Sequence, residues 1–410
     1  MNPEKTVGII AEYNPFHNGH LFHLNETKKR GQADCIVAVM SGCFTQRGEP
    51  AIADKWLRTA AAIENGVDLV FELPFVFACN NAEYFAKGAV RLLDALGCID
   101  SFSFGSEQGS LDELLHTAQM LQHESDAFRE KLAFFLNAGH SYPKARCEAV
   151  EATAGKQAAS VLKDPNNILA VEYLKEWLTL QSNMTPITIP RIGAGHNDQT
   201  IGGDISSATS IRREFKAPDP FTRIDPVVPA ATQAFLKTID FNGFNDNNSL
   251  FTIAVYKILN TSSLDLSNIL SAGEGLENRL RKAAESSKDF EDLVQSVKTR
   301  RYTETRIRRL LIHTLLDLRK DDFFRILNAG TLYARVLGFS KQGASLLKKI
   351  KKTQCATIPV ITNIHSEETA DERIRELMDY DIRSSDLYHL VFNGDVYKES
   401  DHRQKPYFKR

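Results

Sequence analysis

The sequence predicts an α/β fold built on a parallel sheet, and three observations predict it. Its first half carries short runs that are apolar almost throughout: Val7-Gly8-Ile9-Ile10-Ala11-Glu12, Cys35-Ile36-Val37-Ala38-Val39-Met40 and Asp68-Leu69-Val70-Phe71. Helix-like stretches separate them, at 19–30, 55–65 and 81–96. The chain is also long enough for a sizeable core, with 410 residues of which 42% are hydrophobic. Strands without polar alternation, each followed by a helix, belong to a parallel sheet covered on both faces.

Further along, Ser101-Phe102-Ser103-Phe104 and Ile187-Thr188-Ile189 read as two more strands. The region 110–185 between them is mostly helical in pattern, an insertion or flank, and Ala208 to Phe215 opens another helix. Ala217-Pro218-Asp219-Pro220, with Pro226 and Pro229 behind it, breaks the pattern. The expected division is therefore 1–217 for the α/β domain and 218–410 for an α-rich one. Helical patterns in the second part cover 248–260, 276–287, 303–319, 343–351 and 368–379, while strand signals fade.

Charged residues are 25% of the chain and its net charge is −2, so it is no polycation, and a nucleic-acid face must be a local patch. No run approaches the roughly 18 apolar residues of a spanning helix. Met1-Asn2-Pro3-Glu4-Lys5-Thr6 leads directly into the first strand, without a signal-peptide pattern, so a cytoplasmic protein is expected. The six cysteines lack C-x-x-C spacing and read as reduced thiols, not as a disulfide framework or zinc site.

The segment that carries chemistry is Glu12-Tyr13-Asn14-Pro15-Phe16-His17-Asn18-Gly19-His20. It follows the first strand and opens the first helix, on the side of the sheet where open α/β folds bind ligands. A helix start offers free N–H groups and the positive dipole end to a phosphate. His17 and His20 flank Gly19, so imidazoles and backbone approach one anion, and both rings would stabilise charge that grows on its oxygens. A metal cluster of His17, His20 and His23 is disfavoured because His17 precedes the helix and no cysteine or carboxylate has ligand spacing beside it. No metal site is expected.

This H-x-G-H after strand one resembles the nucleotidyltransferase superfamily, which includes the class I aminoacyl-tRNA synthetases. Ile205-Ser206-Ser207-Ala208-Thr209-Ser210-Ile211-Arg212 fits the superfamily's second element, a hydroxyl-rich helix start with a basic residue. There Ser207 and Thr209 would hold the β and γ phosphates, and Arg212 would follow the departing pyrophosphate. The implied fold is a Rossmann-like nucleotidyltransferase domain with a parallel sheet, plus an α-helical C-terminal domain.

Five further segments narrow the resemblance: Ser41 to Pro50, Phe104-Gly105-Ser106-Glu107, Asp164-Pro165-Asn166-Asn167-Ile168-Leu169, Arg191-Ile192-Gly193-Ala194-Gly195-His196, and Lys55 with Trp56. Together with the E-Y-N-P-F-H-N-G-H start they resemble the bacterial tRNA(Met) cytidine acetate ligase family. The resemblance implies a ligase that activates acetate with ATP as acetyl-adenylate. It then moves the acetyl group to N4 of the wobble cytidine of elongator tRNA(Met). Mg²⁺ would enter bound to the ATP phosphates; DNA and membrane are not implied as partners. The ATP site carries over onto Ile10, Ala11, Glu12, Tyr13, Asn14, Pro15, Phe16, His17, Asn18, Gly19, His20, Leu21, Phe22 and His23. It also includes Gly105, Asn166 (or its neighbour Asn167) and Arg191. His196 and Phe22 stand where the family commonly has tyrosine. His17, His20 and Arg212 are the expected catalytic residues. Gln46, Arg47 and Lys55 are expected to line the pocket for acetate or the cytidine.

The most basic stretch holds Lys298, Arg300, Arg301, Arg306, Arg308 and Arg309 around Tyr302, with one acidic residue, Glu304. A dense patch in an acidic chain points to the phosphate backbone of RNA. Two other readings stand beside the ligase: a nucleotidyltransferase acting on a small phosphorylated metabolite, and a non-catalytic RNA-binding scaffold. Intact His17, Gly19, His20 and Arg212 speak against the scaffold.

Overall fold

A computed structural model describes residues 4–192, 201, 203, 205–239, 241, 248–330, 332–365, 371–392, 396 and 400–410. Its strands are β1 (Thr6–Ala11), β2 (Cys35–Ser41), β3 (Leu69–Leu73), β4 (Ser101–Ser106), β5 (Thr185–Pro190), β6 (Ala334–Phe339), β7 (Val360–Ile361) and β8 (Tyr407–Phe408). They form one sheet in the order β5-β4-β1-β2-β3-β6-β7, with β8 on β6. The first five are mutually parallel, as the apolar runs predict.

Each face of the sheet has its own core, which is why the strands read as continuously apolar. Val7 and Ile9 pack with Ile36, Ala38, Met40, Leu24 and Ile63 on one face. Val37, Val39, Leu69, Phe71 and Phe102 pack on the other with Phe85, Leu92 and Leu93. Burying each such side chain contributes roughly 1.5–3 kcal/mol. The crossover helices fall where the sequence places them: α1 (Asn18–Gly31), α2 (Lys55–Glu64) and, after the single turn α3 (Phe75–Ala78), α4 (Ala82–Ala95). The helical flank is α5 (Leu111–Gln122), α6 (Asp126–Asn137), α7 (Tyr142–Val161) and α8 (Pro165–Leu180); α9 (Ala208–Glu214) follows β5.

The sheet does not stop at residue 217. β6 pairs antiparallel with β3, Leu69 lying opposite Phe339, and brings β7 and β8 with it. The run Ala334-Arg335-Val336-Leu337-Gly338-Phe339 covers a strand edge that would otherwise present unpaired backbone groups. Among helical patterns its apolar character is ambiguous between strand and buried helix, so the sequence does not mark it as a strand.

β1 pairs with β2 on one side and β4 on the other. The chain winds outward from β1 through β2 and β3, then crosses back to β4. The carboxyl end of β1 is thus a topological switch point, where open α/β sheets leave a crevice. The H-x-G-H segment sits there.

Candidate active site

His17 is the N-cap of α1, with an extended backbone (φ −131°, ψ 174°). Its Nδ1 accepts the Gly19 N–H at 3.0 Å, and His20 Nδ1 accepts the His17 N–H at 3.3 Å. This is a capping box made of two histidines. Because both Nδ1 atoms accept, the neutral imidazoles carry their proton on Nε2 and donate from there. The rings stack with centroids 3.8 Å apart. A Cβ on Gly19 would lie 2.8 Å from His17 Cε1, so the glycine makes room for the folded-back imidazole. His23, one turn on, sets Nε2 3.2 Å from Ser103 Oγ.

Burial, reinforced by the Arg191 and Arg212 guanidiniums, holds His17 down at about 3. Burial and the neighbouring His17 push His20 well below the usual imidazole range. Burial, then Arg191, lowers His23 to about 4. All three are therefore neutral near pH 7.

The second element lies against the first. Ser207 caps α9 by accepting the Ser210 N–H at 3.1 Å. Arg212 reaches back to the H-x-G-H loop, donating from Nη1 to the Asn14 carbonyl at 2.8 Å and from Nη2 to Thr209 Oγ1 at 3.4 Å. Gly105 is on β4, and Arg191 follows β5, its N–H bonded to the Ser106 carbonyl at 3.0 Å. Glu107, at the end of the Phe104-Gly105-Ser106-Glu107 segment, sorts the two asparagines. Its Oε2 accepts the Asn167 N–H at 2.9 Å and its Oε1 accepts from Asn166 Nδ2. Asn167 is buried, whereas Asn166 faces a cavity.

That cavity measures about 960 Å³. From the first strand and helix it is lined by Ile10, Ala11, Glu12, Tyr13, His17, Gly19, His20, Phe22 and His23. Gly105, Asn166, Arg191, Ile205 and Ser206 join them, with Gln46 and Arg47 from the loop after β2. From the second half of the chain Leu270, Ser271, Arg301, Thr303, Thr305, Arg306 and Arg309 line it as well. Asn14, Pro15, Phe16, Asn18, Leu21, Ser207, Thr209 and Arg212 stand outside the lining. Asn14 Oδ1 accepts the Ile52 N–H at 2.7 Å, and Asn18 Nδ2 donates to the Pro226 carbonyl at 3.0 Å. The expected residues Gly193 to His196 lie outside the described part.

Lys55 does not reach the cavity. It is fully buried, with Nζ 2.7 Å from Glu72 Oε1 and 2.6 Å from Asp401 Oδ2. Arg335 completes this four-charge cluster. Both carboxylates arrive from distant sequence, so the local pattern gave no sign of them. Arg58 braces the site instead. Its guanidinium donates to the Glu12, Ser41, Gly42 and Ala53 carbonyls, tying the ends of β1 and β2 to the α2 loop.

The basic stretch divides in space. Lys298, Arg300 and Arg301 are exposed and Arg306 is half-buried. Arg308 is corrected to a structural residue: it is buried in ion pairs with Glu291 and Glu304. Tyr302 is also buried, its hydroxyl donating to Glu274, so its ring is not offered to a base. Arg309 turns inward, donating from Nη1 to the Gln46 carbonyl at 3.0 Å. The Gln46 N–H is itself held by Glu12 Oε1 at 2.7 Å. Gly48 packs on the same helix, Glu304–Leu315: at φ 74°, a Cβ there would fall 2.4 Å from the Arg309 nitrogen.

A parallel α/β sheet whose switch point carries H-x-G-H defines a nucleotidyltransferase-type protein. The family model described as HIGH Nucleotidyl Transferase matches residues 4–404. The chain is similar, at 41% identity over 98% of both chains, to the tRNA(Met) cytidine acetate ligase of Caldicellulosiruptor saccharolyticus. It is 40% identical to that of Thermoanaerobacter pseudethanolicus over 95% of this chain and 96% of the other. A crystal structure of Thermotoga maritima TmcAL matches with TM-score 0.92 and 32% identity, covering 99% of this chain and 100% of that one. A second, bound with alpha-thio ATP, matches with TM-score 0.89 and 30% identity at the same coverage. The chain belongs to the tRNA(Met) cytidine acetate ligase family, and is an enzyme of that ligase class.

Proposed function

We propose that the chain uses ATP to activate acetate as acetyl-adenylate and transfers the acetyl group to N4 of the wobble cytidine of elongator tRNA(Met). The observation that carries this reading is one cavity whose lining joins His17, His20 and Arg191 to Arg301 and Arg306 of the basic stretch. A nucleotide and an RNA thus meet in a single space, at the upper end of the roughly 300–1,000 Å³ of small-molecule sites. The relatives' name and the ATP analogue in the Thermotoga maritima structure support it.

In the first step an acetate oxygen attacks the α-phosphorus, and the bond to pyrophosphate breaks. Acetate is ionised near pH 7, so no general base is required. His17 and His20 are neutral and hydrogen-bond the α-phosphate oxygens as they gain charge, His20 exchanging its contact with the Pro15 backbone for one with the phosphate. Arg191 and Arg212 supply fixed positive charge nearby, and Arg212 follows the departing pyrophosphate. Mg²⁺ would be held by the ATP phosphates rather than by this chain, and would supply screening of their charge. Among the described residues no group of three His, Cys, Asp or Glu is placed to hold a metal. In the second step the cytidine N4 attacks the acyl carbon, the bond to AMP breaks, and N4 loses a proton. That amine is weak because its lone pair is delocalised into the ring, which is why a mixed anhydride is needed. A target base must leave its stack to reach the site.

The test is incubation with ATP, carboxyl-labelled acetate and total bacterial tRNA. Label in tRNA, recovered as N4-acetylcytidine, is the expected result. An AMP-containing small product without RNA label would instead identify a small-metabolite nucleotidyltransferase.

A further inference from the structure

We propose that Arg309 is the residue that binds the carboxylate of the acid substrate. This deepens the reading above and rests on it. Arg309 lines the cavity and is only 8% exposed. It forms no ion pair among the described residues. Other buried arginines meet an anion or a full set of acceptors: Arg335 pairs with Asp401 at 2.8 Å, Arg58 donates to backbone carbonyls from all three nitrogens, and Arg146 pairs with Glu172 at 2.6 Å while one of its Nη atoms stays without a partner. Arg309 has one acceptor, the Gln46 carbonyl on Nη1, and its buried Nε has no partner.

With Nη1 taken and Nε closed off from solvent, Nη2 remains without a protein acceptor among the described residues. A carboxylate oxygen can take a charge-assisted hydrogen bond from it. An isolated buried cation is unfavourable, and a small anion seated there compensates it. Burial also holds the guanidinium down at about 10, with Arg306 adding to the effect, so it remains charged near pH 7. A phosphate of the RNA backbone is the competing acceptor. The inward turn of Arg309 favours the small acid: its side chain is buried, whereas Arg300 and Arg301 of the same stretch are exposed, Arg301 at the cavity lining and paired with Glu274.

The placement suits the reaction. Arg309 is anchored to Gln46, and Gln46 to Glu12 at the end of β1, beside the histidine pair. Phosphates gather at His17, His20 and Arg191, and the carboxylate at a separate cation lining the same cavity. The two anions are thereby held in one space without sharing a charge.

Acetate-dependent ATP–pyrophosphate exchange tests the assignment in the wild type, Arg309→Lys and Arg309→Gln. The expected result is a roughly 10- to 150-fold rise in the acetate KM, the range of charge-assisted pairs. The ATP KM stays within about twofold, and tRNA affinity and its salt slope stay unchanged. An unaltered acetate KM overturns the proposal, as does a loss of tRNA affinity with a flatter salt slope, which would assign Arg309 to the RNA backbone. Absence of exchange in the wild type would instead sink the acetate reading itself, and this inference with it. If the variants do not fold, competition on the wild type decides. Formate and propionate should compete with acetate while neutral acetamide should not; equal competition by acetamide overturns the proposal.

Discussion

Replacing Lys55 by methionine distinguishes a pocket residue from a core one. Lys55 and Arg335 face Glu72 and Asp401 inside the sheet edge, two cations against two carboxylates, all at most 3% exposed. Trp56 Nε1 and Ser385 Oγ hold the other Asp401 oxygen. Removing Lys55 leaves two carboxylates on one guanidinium, and breaking a buried pair from one side costs about 3–5 kcal/mol. With an unfolding entropy of roughly 2.1 cal/mol/K per residue, that loss lowers Tm of this chain by roughly 4–6 °C. The two carboxylates raise the pKa of Lys55, so its contribution is present below its unfolded pKa and is lost only as pH rises through the folded one. Arg335 and Lys55 hold Asp401 well below the usual carboxylate range, so its contribution is present above its unfolded pKa and is lost as pH falls through the folded one. At pH 7 both are intact. The Lys55→Met deficit should therefore narrow as pH falls from 8 to 5, where a surviving carboxylate takes up a proton. Thermal unfolding at several pH values, with acetate and ATP KM measured beside it, reads the outcome. Unchanged Tm with a raised substrate KM would refute the reasoning and return Lys55 to the pocket.

His20→Ala should abolish acetate-dependent exchange while leaving tRNA affinity intact; retained exchange would remove the imidazole from the activation step. Since burial depresses the pKa of His17 and His23 to about 3 and 4, the folded chain resists their protonation. Stability should thus be full above the usual imidazole pKa of about 6.5 and fall progressively below it. NMR titration checks this, and a His17 midpoint near its ordinary value would count against the neutral-donor geometry. Arg301→Ala with Arg306→Ala should weaken tRNA binding and reduce its salt slope by roughly 1–2. Arg308→Met should leave that slope alone and lower Tm, because Arg308 sits among Glu291 and Glu304; filter binding at several salt concentrations separates them.

The parallel sheet, its crossover helices and the H-x-G-H turn are legible in the amino-acid sequence. These are local: a run apolar on both faces forms a buried strand, and the turn that follows it necessarily lies at that strand's end. Gly19 was legible too, although its reason is room for the His17 ring more than backbone freedom. What the charges do becomes visible in the folded chain alone. Lys55, Arg58, Arg308 and Arg309 look alike in a basic or polar stretch, yet one joins a buried cluster, one braces two strand ends, one is neutralised, and one faces the cavity. Their partners Asp401, Glu12, Glu291 and Gln46 lie 17 to 346 positions away. The energy of a charge depends on its surroundings, not its neighbours in sequence. The same holds for β6, whose place beside β3 answers an open strand edge that no local pattern announces.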